Sequence, residues 1–141
     1  MKKVLILCTG NSCRSQMAEY LLNHLGGNAF QAFSAGSNPS GYVHPQSIAV
    51  MQELSIPMDG ARSKSVDEFK DEPFDLVITV CGRADQACPS FPGAGLRYHW
   101  GFEDPADATG SEAEICEEFR RIRDQIKSLV EALVVGHRLA G

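Results

Sequence analysis

At 141 residues, with 43% hydrophobic and 22% charged side chains, the chain reads as one α/β domain spanning 1–141, large enough to bury about two-thirds of its unfolded surface without covalent staples. A net charge of −5 and the lack of a long basic block argue against a nucleic-acid partner, and no apolar run approaches the ~20 residues that span a bilayer. Met1-Lys2-Lys3 before Val4 to Leu7 imitates a signal peptide, but the apolar stretch is too short, so the expected location is the cytoplasm, where five cysteines read as catalytic or metal-binding thiols rather than a disulfide framework.

The first element is a short strand, Val4 to Leu7, that ends at Cys8 and runs into Thr9-Gly10-Asn11-Ser12-Cys13-Arg14-Ser15 before a helix opens. Thr9, Gly10, Asn11, Ser12 and Cys13 are small or tolerate unusual backbone angles, so this loop can wrap a tetrahedral anion with inward N–H groups. The positive end of the following helix dipole falls at the same place. A cysteine at the bottom of that nest, beside Arg14, is expected to be a thiolate, with Ser15 supplying one more hydrogen bond. Cys, five spacers, then Arg-Ser between a strand and a helix thus points to a nucleophile aimed at an oxyanion gripped by a forked guanidinium.

Met17, Leu21, Leu22 and Leu25 fall at helical spacing over Gln16 to Leu25, closed by Gly26-Gly27. A second strand is expected over Ala29 to Ala35. A helix opens at Pro45, with His44 as a loop or capping residue and Ile48, Val50 or Met51, and Leu54 as its buried face. Ser63 to Phe69 suits a short serine-capped turn, and Asp75 to Val80 is a buried strand ending at Cys81. Gly82 to Cys88 is polar and long enough for about two helical turns. Leu96 to Trp100 is expected as the last strand. Ser111 and Glu114 spell a capping box for one long helix, whose apolar stripe is Ile115, Phe119, Ile122, Ile126, Leu129 and Leu133 and whose wet face carries Arg120, Arg121, Arg123 and Lys127.

Alternating strands and helices imply a four-stranded parallel sheet with helices on both faces, with ligands at the carboxyl ends of the strands. Cys8 and Cys81 both lie at such ends and can share one site. Cys81 and Cys88 would sit about 10.5 Å apart along an ideal helix axis, so a bond between them would require that segment to unwind, as in a redox switch. The competing readings are inert structural thiols, or a metal site with His99, whose spacing matches no common zinc pattern. Cys13 is expected to fill space beneath the loop and Cys116 to pack. Asp104, held extended by Pro105, is placed to act as a general acid.

Cys-Thr-Gly-Asn-Ser-Cys-Arg-Ser-Gln-Met-Ala-Glu at 8–19, Ser-Ala-Gly at 34–36, Val-Cys with Ala-Asp and Cys-Pro across 80–89, and His-Trp-Gly-Phe-Glu-Asp-Pro at 99–105 resemble the thioredoxin-coupled arsenate reductases, built on the low-molecular-weight tyrosine phosphatase fold. The resemblance implies that Cys8 attacks arsenate held by the loop amides and Arg14, with Ser15 and Asn11 supporting the thiolate and the loop and Asp104 protonating the departing hydroxyl. It further implies a Cys8–Cys81 disulfide that releases arsenite, then a Cys81–Cys88 disulfide reduced by thioredoxin or a glutaredoxin-like donor. No bound cofactor or metal is expected: Ser65 stands where some relatives carry an aspartate that helps hold a monovalent cation near Asn11, Glu19 and Ser34. Phosphate and sulfate would compete as oxyanions, and a monomer is expected. Gly82-Arg83 departs from the small polar and acidic or histidine residues common after the second cysteine. The alternatives are a tyrosine or small-molecule phosphatase, against which stand Ala106-Asp107 in place of aromatics and the otherwise unused Cys81 and Cys88, and a non-catalytic oxyanion or redox sensor.

Overall fold

The computed structural model describes residues 1–81 and 94–140. Strands β1 (Lys2–Cys8), β2 (Phe30–Gly36), β3 (Phe74–Thr79) and β4 (Ala94–His99) form one parallel four-stranded sheet in the order β2-β1-β3-β4. The register pairs Cys8 with Gly36 on one side and Leu7 with Thr79 on the other, so the chain reverses its direction of growth across β1. That is the position at which doubly wound sheets open a crevice at their carboxyl ends.

Strand β1 is buried on both faces, which is why its sequence is an unbroken apolar run rather than an alternating one. Val4, Ile6 and Cys8 face one core with Met17, Leu21 and Leu22 of α1 (Arg14–Gly26), Val50 and Met51 of α2 (Pro45–Gln52), and Phe119, Ile122 and Ile126 of α3 (Glu112–Ala140). Leu5 and Leu7 face a second, smaller core with Ala35, Phe69, Phe74 and Val77. The cover is therefore uneven. Among the described residues all three α-helices contribute to the first core, while the second is closed by the 3-10 turn Val66–Phe69, whose Ser65 accepts a hydrogen bond from Asp67 N at 3.1 Å.

The expected helix faces need three corrections. On α2, Ile48 is exposed and Ser47, Val50 and Met51 are buried, because this helix of two turns packs on α1 and α3 rather than flat on the sheet. On α3 the buried stripe runs Phe119, Ile122, Ile126, Val130, Val134, and Leu129 lies outside it; steps of three or four residues keep a 3.6-residue helix on one side, and Val130 continues that line better than Leu129. Arg123 is a third correction. Expected on the wet face, it is only 7% exposed, donating from Nη1 to Val50 O at 2.8 Å and to Glu53 Oε1 at 2.7 Å. Its guanidinium ties α3 to the last turn of α2. Arg120 pairs with the same Glu53 carboxylate at 2.7 Å.

At the start of α3, Ser111 N donates to Glu114 Oε1 at 3.0 Å and Glu114 N to Ser111 Oγ at 3.1 Å, the reciprocal capping box read from the sequence. His44 caps α2, its Nδ1 accepting from Gln46 N at 3.1 Å. No helix among the described residues is long and apolar enough to cross a membrane.

Candidate active site

Between β1 and α1 the chain turns through Thr9 to Cys13, and the left-handed step in that turn is made by Asn11, at φ 48°, rather than by Gly10. Asparagine tolerates this conformation because its short side chain bonds locally. Here the side chain is held at both ends. Its Oδ1 accepts from Lys64 N at 2.8 Å and Gln16 Nε2 at 3.0 Å, and its Nδ2 donates to Ser15 Oγ at 2.8 Å and Ser34 Oγ at 2.9 Å.

The loop carbonyls are drawn outward. Cys8 O accepts from Ser37 N, Thr9 O from Asn38 N, Gly10 O from Ser40 N and Ser63 Oγ, and Ser12 O from His44 N, at 2.9–3.2 Å. No peptide among the described residues is cis, and a trans peptide sets its N–H opposite its C=O. The N–H groups of Thr9, Gly10, Asn11 and Cys13 are thereby turned to the concave side, and that of Asn11 reaches Cys8 Sγ at 3.3 Å. Helix α1 starts without a side-chain cap hydrogen bond and without an acidic residue in its first turn, so the positive end of its dipole faces the loop without a local carboxylate to offset it.

Cys8 Sγ lies 2.9 Å from Ser15 Oγ. Because both Asn11 Nδ2 hydrogens are committed to Ser15 and Ser34, the Ser15 oxygen accepts from Asn11 and its hydroxyl proton is available to the sulfur. Arg14, buried on its side chain, donates from Nη1 to Phe102 O at 3.2 Å and faces Asp104 Oδ2 from Nη2 at 3.4 Å. Asp104 in turn accepts from Ala106 N at 3.0 Å and opens the 3-10 turn Pro105–Asp107. The 102–104 segment therefore fixes the guanidinium and carries the carboxylate to the same side of the loop.

The two loop cysteines differ in environment. Cys13 is buried, and desolvation, assisted by the charge of Asp104, pushes its thiol up to about 12. It stays protonated at neutral pH and packs in the core, as expected from the sequence. Cys116 is partly buried against the same core. Cys81 is buried just past β3 and belongs to the same packed cluster as Cys8, and Val80 N donates to Leu7 O at 2.9 Å. Cys88 lies outside the described residues. His99 makes a 2.6 Å hydrogen bond with Thr79 Oγ1, and no group of three or more metal-ligating side chains occurs among the described residues.

Three contributors were not marked by the sequence pattern. Gln16 Nε2 spans the loop to Arg62 O at 2.9 Å, Ser34 Oγ donates to Glu19 Oε1 at 2.6 Å, and Lys64 Nζ lies 3.7 Å from that carboxylate. For Ser34 the available signal was a polar residue inside the largely apolar strand β2. A cavity of about 620 Å³ lined by Phe30, Leu96, Tyr98, Trp100, Leu133 and His137 holds none of the candidate residues.

Similarity to known proteins agrees with this arrangement. The low molecular weight phosphotyrosine protein phosphatase family matches residues 3–140. An arsenate reductase of Halalkalibacterium halodurans is 42% identical over 125 residues, covering 89% of each chain. Among solved structures, an arsenate reductase in the phosphate binding state superposes with a TM-score of 0.81 at 36% identity, covering 96% of this chain and 98% of that one. A thioredoxin-dependent arsenate reductase of Corynebacterium glutamicum superposes with a TM-score of 0.68 at 28% identity, covering 96% of this chain and 63% of that one. With a matching profile over nearly its whole length and relatives of this closeness, the chain belongs to the low molecular weight phosphotyrosine protein phosphatase family, and within it to the arsenate reductases.

Proposed function

We propose that this protein reduces arsenate to arsenite through a three-cysteine relay regenerated by thioredoxin. The observation that carries the reading is Cys8 Sγ at the end of β1, held by Ser15 Oγ at 2.9 Å and Asn11 N at 3.3 Å, with Cys81 packed in the same cluster. Arsenate sits in the nest formed by residues 9–13, its oxygens held by backbone N–H groups and by Arg14. Cys8 attacks arsenic, and Asp104 protonates the hydroxyl that leaves as water. Cys81 then attacks Cys8 Sγ. The As–S bond breaks with its electron pair staying on arsenic, arsenite departs, and two thiols have become one disulfide while As(V) has become As(III). Cys88 attacks Cys81, freeing Cys8, and the Cys81–Cys88 disulfide is reduced by the partner. Arg14, now paired with Asp104, exchanges that carboxylate for the substrate, so the acid is released toward the leaving oxygen as the site fills.

The test is NADPH consumption with arsenate, thioredoxin and thioredoxin reductase, for the parent and for Cys8→Ser, Cys81→Ser and Cys88→Ser. The parent turns over and each variant stops cycling. Full turnover by Cys88→Ser would refute the relay, and turnover only with a glutaredoxin-type donor would reassign the partner.

A further inference from the structure

Behind the oxyanion loop runs a chain of buried polar contacts that ends in a charge pair. Glu19 Oε1 accepts from Ser34 Oγ at 2.6 Å, Ser34 Oγ accepts from Asn11 Nδ2 at 2.9 Å, Asn11 Nδ2 also donates to Ser15 Oγ at 2.8 Å, and Ser15 Oγ meets Cys8 Sγ at 2.9 Å. At the far end stands Lys64. Its Nζ lies 3.7 Å from Glu19 Oε1 and donates to Arg62 O at 3.2 Å, and the two charged side chains are 11% and 15% exposed. The same residue donates its backbone N–H to Asn11 Oδ1 at 2.8 Å and accepts from Gly36 N at 2.8 Å. Lys64 therefore touches the chain of contacts at its Glu19 end and again at Asn11 in its middle.

We propose that Lys64 is a positioning residue for the nucleophile: its ammonium balances the Glu19 carboxylate, so that Ser34 donates to Glu19 and accepts from Asn11, Asn11 donates to Ser15, and the Ser15 hydroxyl is left to donate to Cys8 Sγ. This inference rests on Cys8 being the nucleophile. A carboxylate accepts from Ser34 and leaves the serine oxygen to accept from Asn11, whereas a neutral carboxyl group offers Ser34 a second donor and loosens its hold on the asparagine. Burial raises the Glu19 carboxyl, and Ser34 and Lys64 oppose that rise. Burial also lowers the Lys64 ammonium, with Glu19 acting against it. The groups that bear on this pair are few. Glu19 faces Lys64, Ser34 and the Tyr20 phenol, Lys64 faces Glu19, Arg62 and Glu68, and Cys8 shares its loop with Ser15, the Cys13 thiol and the Arg14 guanidinium, which is paired with Asp104. Arg62 and Glu68 are paired with each other at the surface, which leaves Lys64, among the described residues, as the counter-charge at the largely covered Glu19. Without it, Glu19 either takes a proton or stands as an uncompensated negative charge behind the thiolate, and both outcomes disfavour the reactive form of Cys8, most strongly at low pH.

The experiment measures kcat/KM for arsenate and the rate of Cys8 alkylation by iodoacetamide across roughly pH 5 to 9, for the parent, Lys64→Met, Lys64→Arg, Glu19→Gln, the Glu19→Gln/Lys64→Met double variant and Cys8→Ser. For Lys64→Met both quantities are expected to fall about tenfold at the acid end, with the deficit shrinking as pH rises. Lys64→Arg keeps the parent profile. In the Glu19→Gln background, where no charge needs balancing, Lys64→Met adds less than about a twofold loss. Profiles for Lys64→Met that coincide with the parent would overturn the inference alone, as would an undiminished loss in the Glu19→Gln background. Turnover by Cys8→Ser would instead overturn the reading of the site, and this inference with it.

Discussion

A β-carbon at residue 36 would be driven into the carbonyl oxygen of Thr9 and would lie 3.1 Å from Asn11 N. The oxyanion loop is laid directly on the end of β2, so Gly36→Ala displaces the loop backbone. The expected cost is about 1–3 kcal/mol in urea unfolding, with a larger fractional loss of kcat/KM than of stability. A variant within experimental error of the parent in both would show that the loop does not depend on this contact. Asn11 separates backbone from side chain. Asn11→Gly retains the left-handed φ but removes the amide that braces Ser15, Ser34, Gln16 and Lys64, so it is expected to be destabilised by about 1–3 kcal/mol rather than neutral. The sequence exposed the loop itself because Cys, five small residues and Arg-Ser have little use other than an anion nest. It did not expose the bracing, since Gln16, Lys64 and Ser34 come from three separate segments and meet only after folding.

At the level of elements, α3 is held at its start and within its first half by polar contacts of different visibility. The Ser111–Glu114 box is local, and its three-residue spacing is legible directly; Ser111→Ala is expected to cost about 1 kcal/mol by thermal unfolding. The Arg123–Glu53 and Arg120–Glu53 pairs join residues far apart in sequence, and a periodicity argument that sorts arginines onto the wet face necessarily misplaces Arg123. These pairs give the element a pH signature. The guanidinium hydrogen bonds hold the Glu53 carboxyl down from 4.5 to about 2. Its folded-state value is thus below its unfolded one, and the pairs contribute stability that is fully present above the unfolded value and is lost as pH falls through the folded one. Melting temperatures of the parent and Glu53→Gln should therefore differ at neutral pH and converge between about pH 4.5 and about pH 2. A difference that persists at the acid end would assign the effect to packing. The strands were legible from apolar runs, with ends displaced by a residue or two, whereas the uneven cover of the sheet was not, because periodicity reports how much of a helix is buried but not which face of a distant sheet buries it.

The molecule as a whole carries a net charge of −5 and is proposed to bind a small oxyanion, so attraction must come from the loop amides and Arg14 against a mildly repulsive surround. Raising sodium chloride should screen that repulsion and increase kcat/KM for arsenate modestly, by less than about threefold, before mass-action competition sets in. A steep fall from the lowest salt upward would instead indicate long-range attraction by surface cations. The sheet order places the ends of β1 and β3 side by side, and in the proposed relay this is what would bring Cys8 and Cys81 to one site. Single turnover of the Cys88→Ser variant tests that arrangement most directly: the reduced protein is mixed with arsenate, quenched with an alkylating agent, and its cysteines are mapped by mass spectrometry while released arsenite is counted. One arsenite per chain with Cys8 and Cys81 joined is the predicted result, and arsenite release with residue 81 still alkylated, or with Cys8 joined to Cys13, would contradict it.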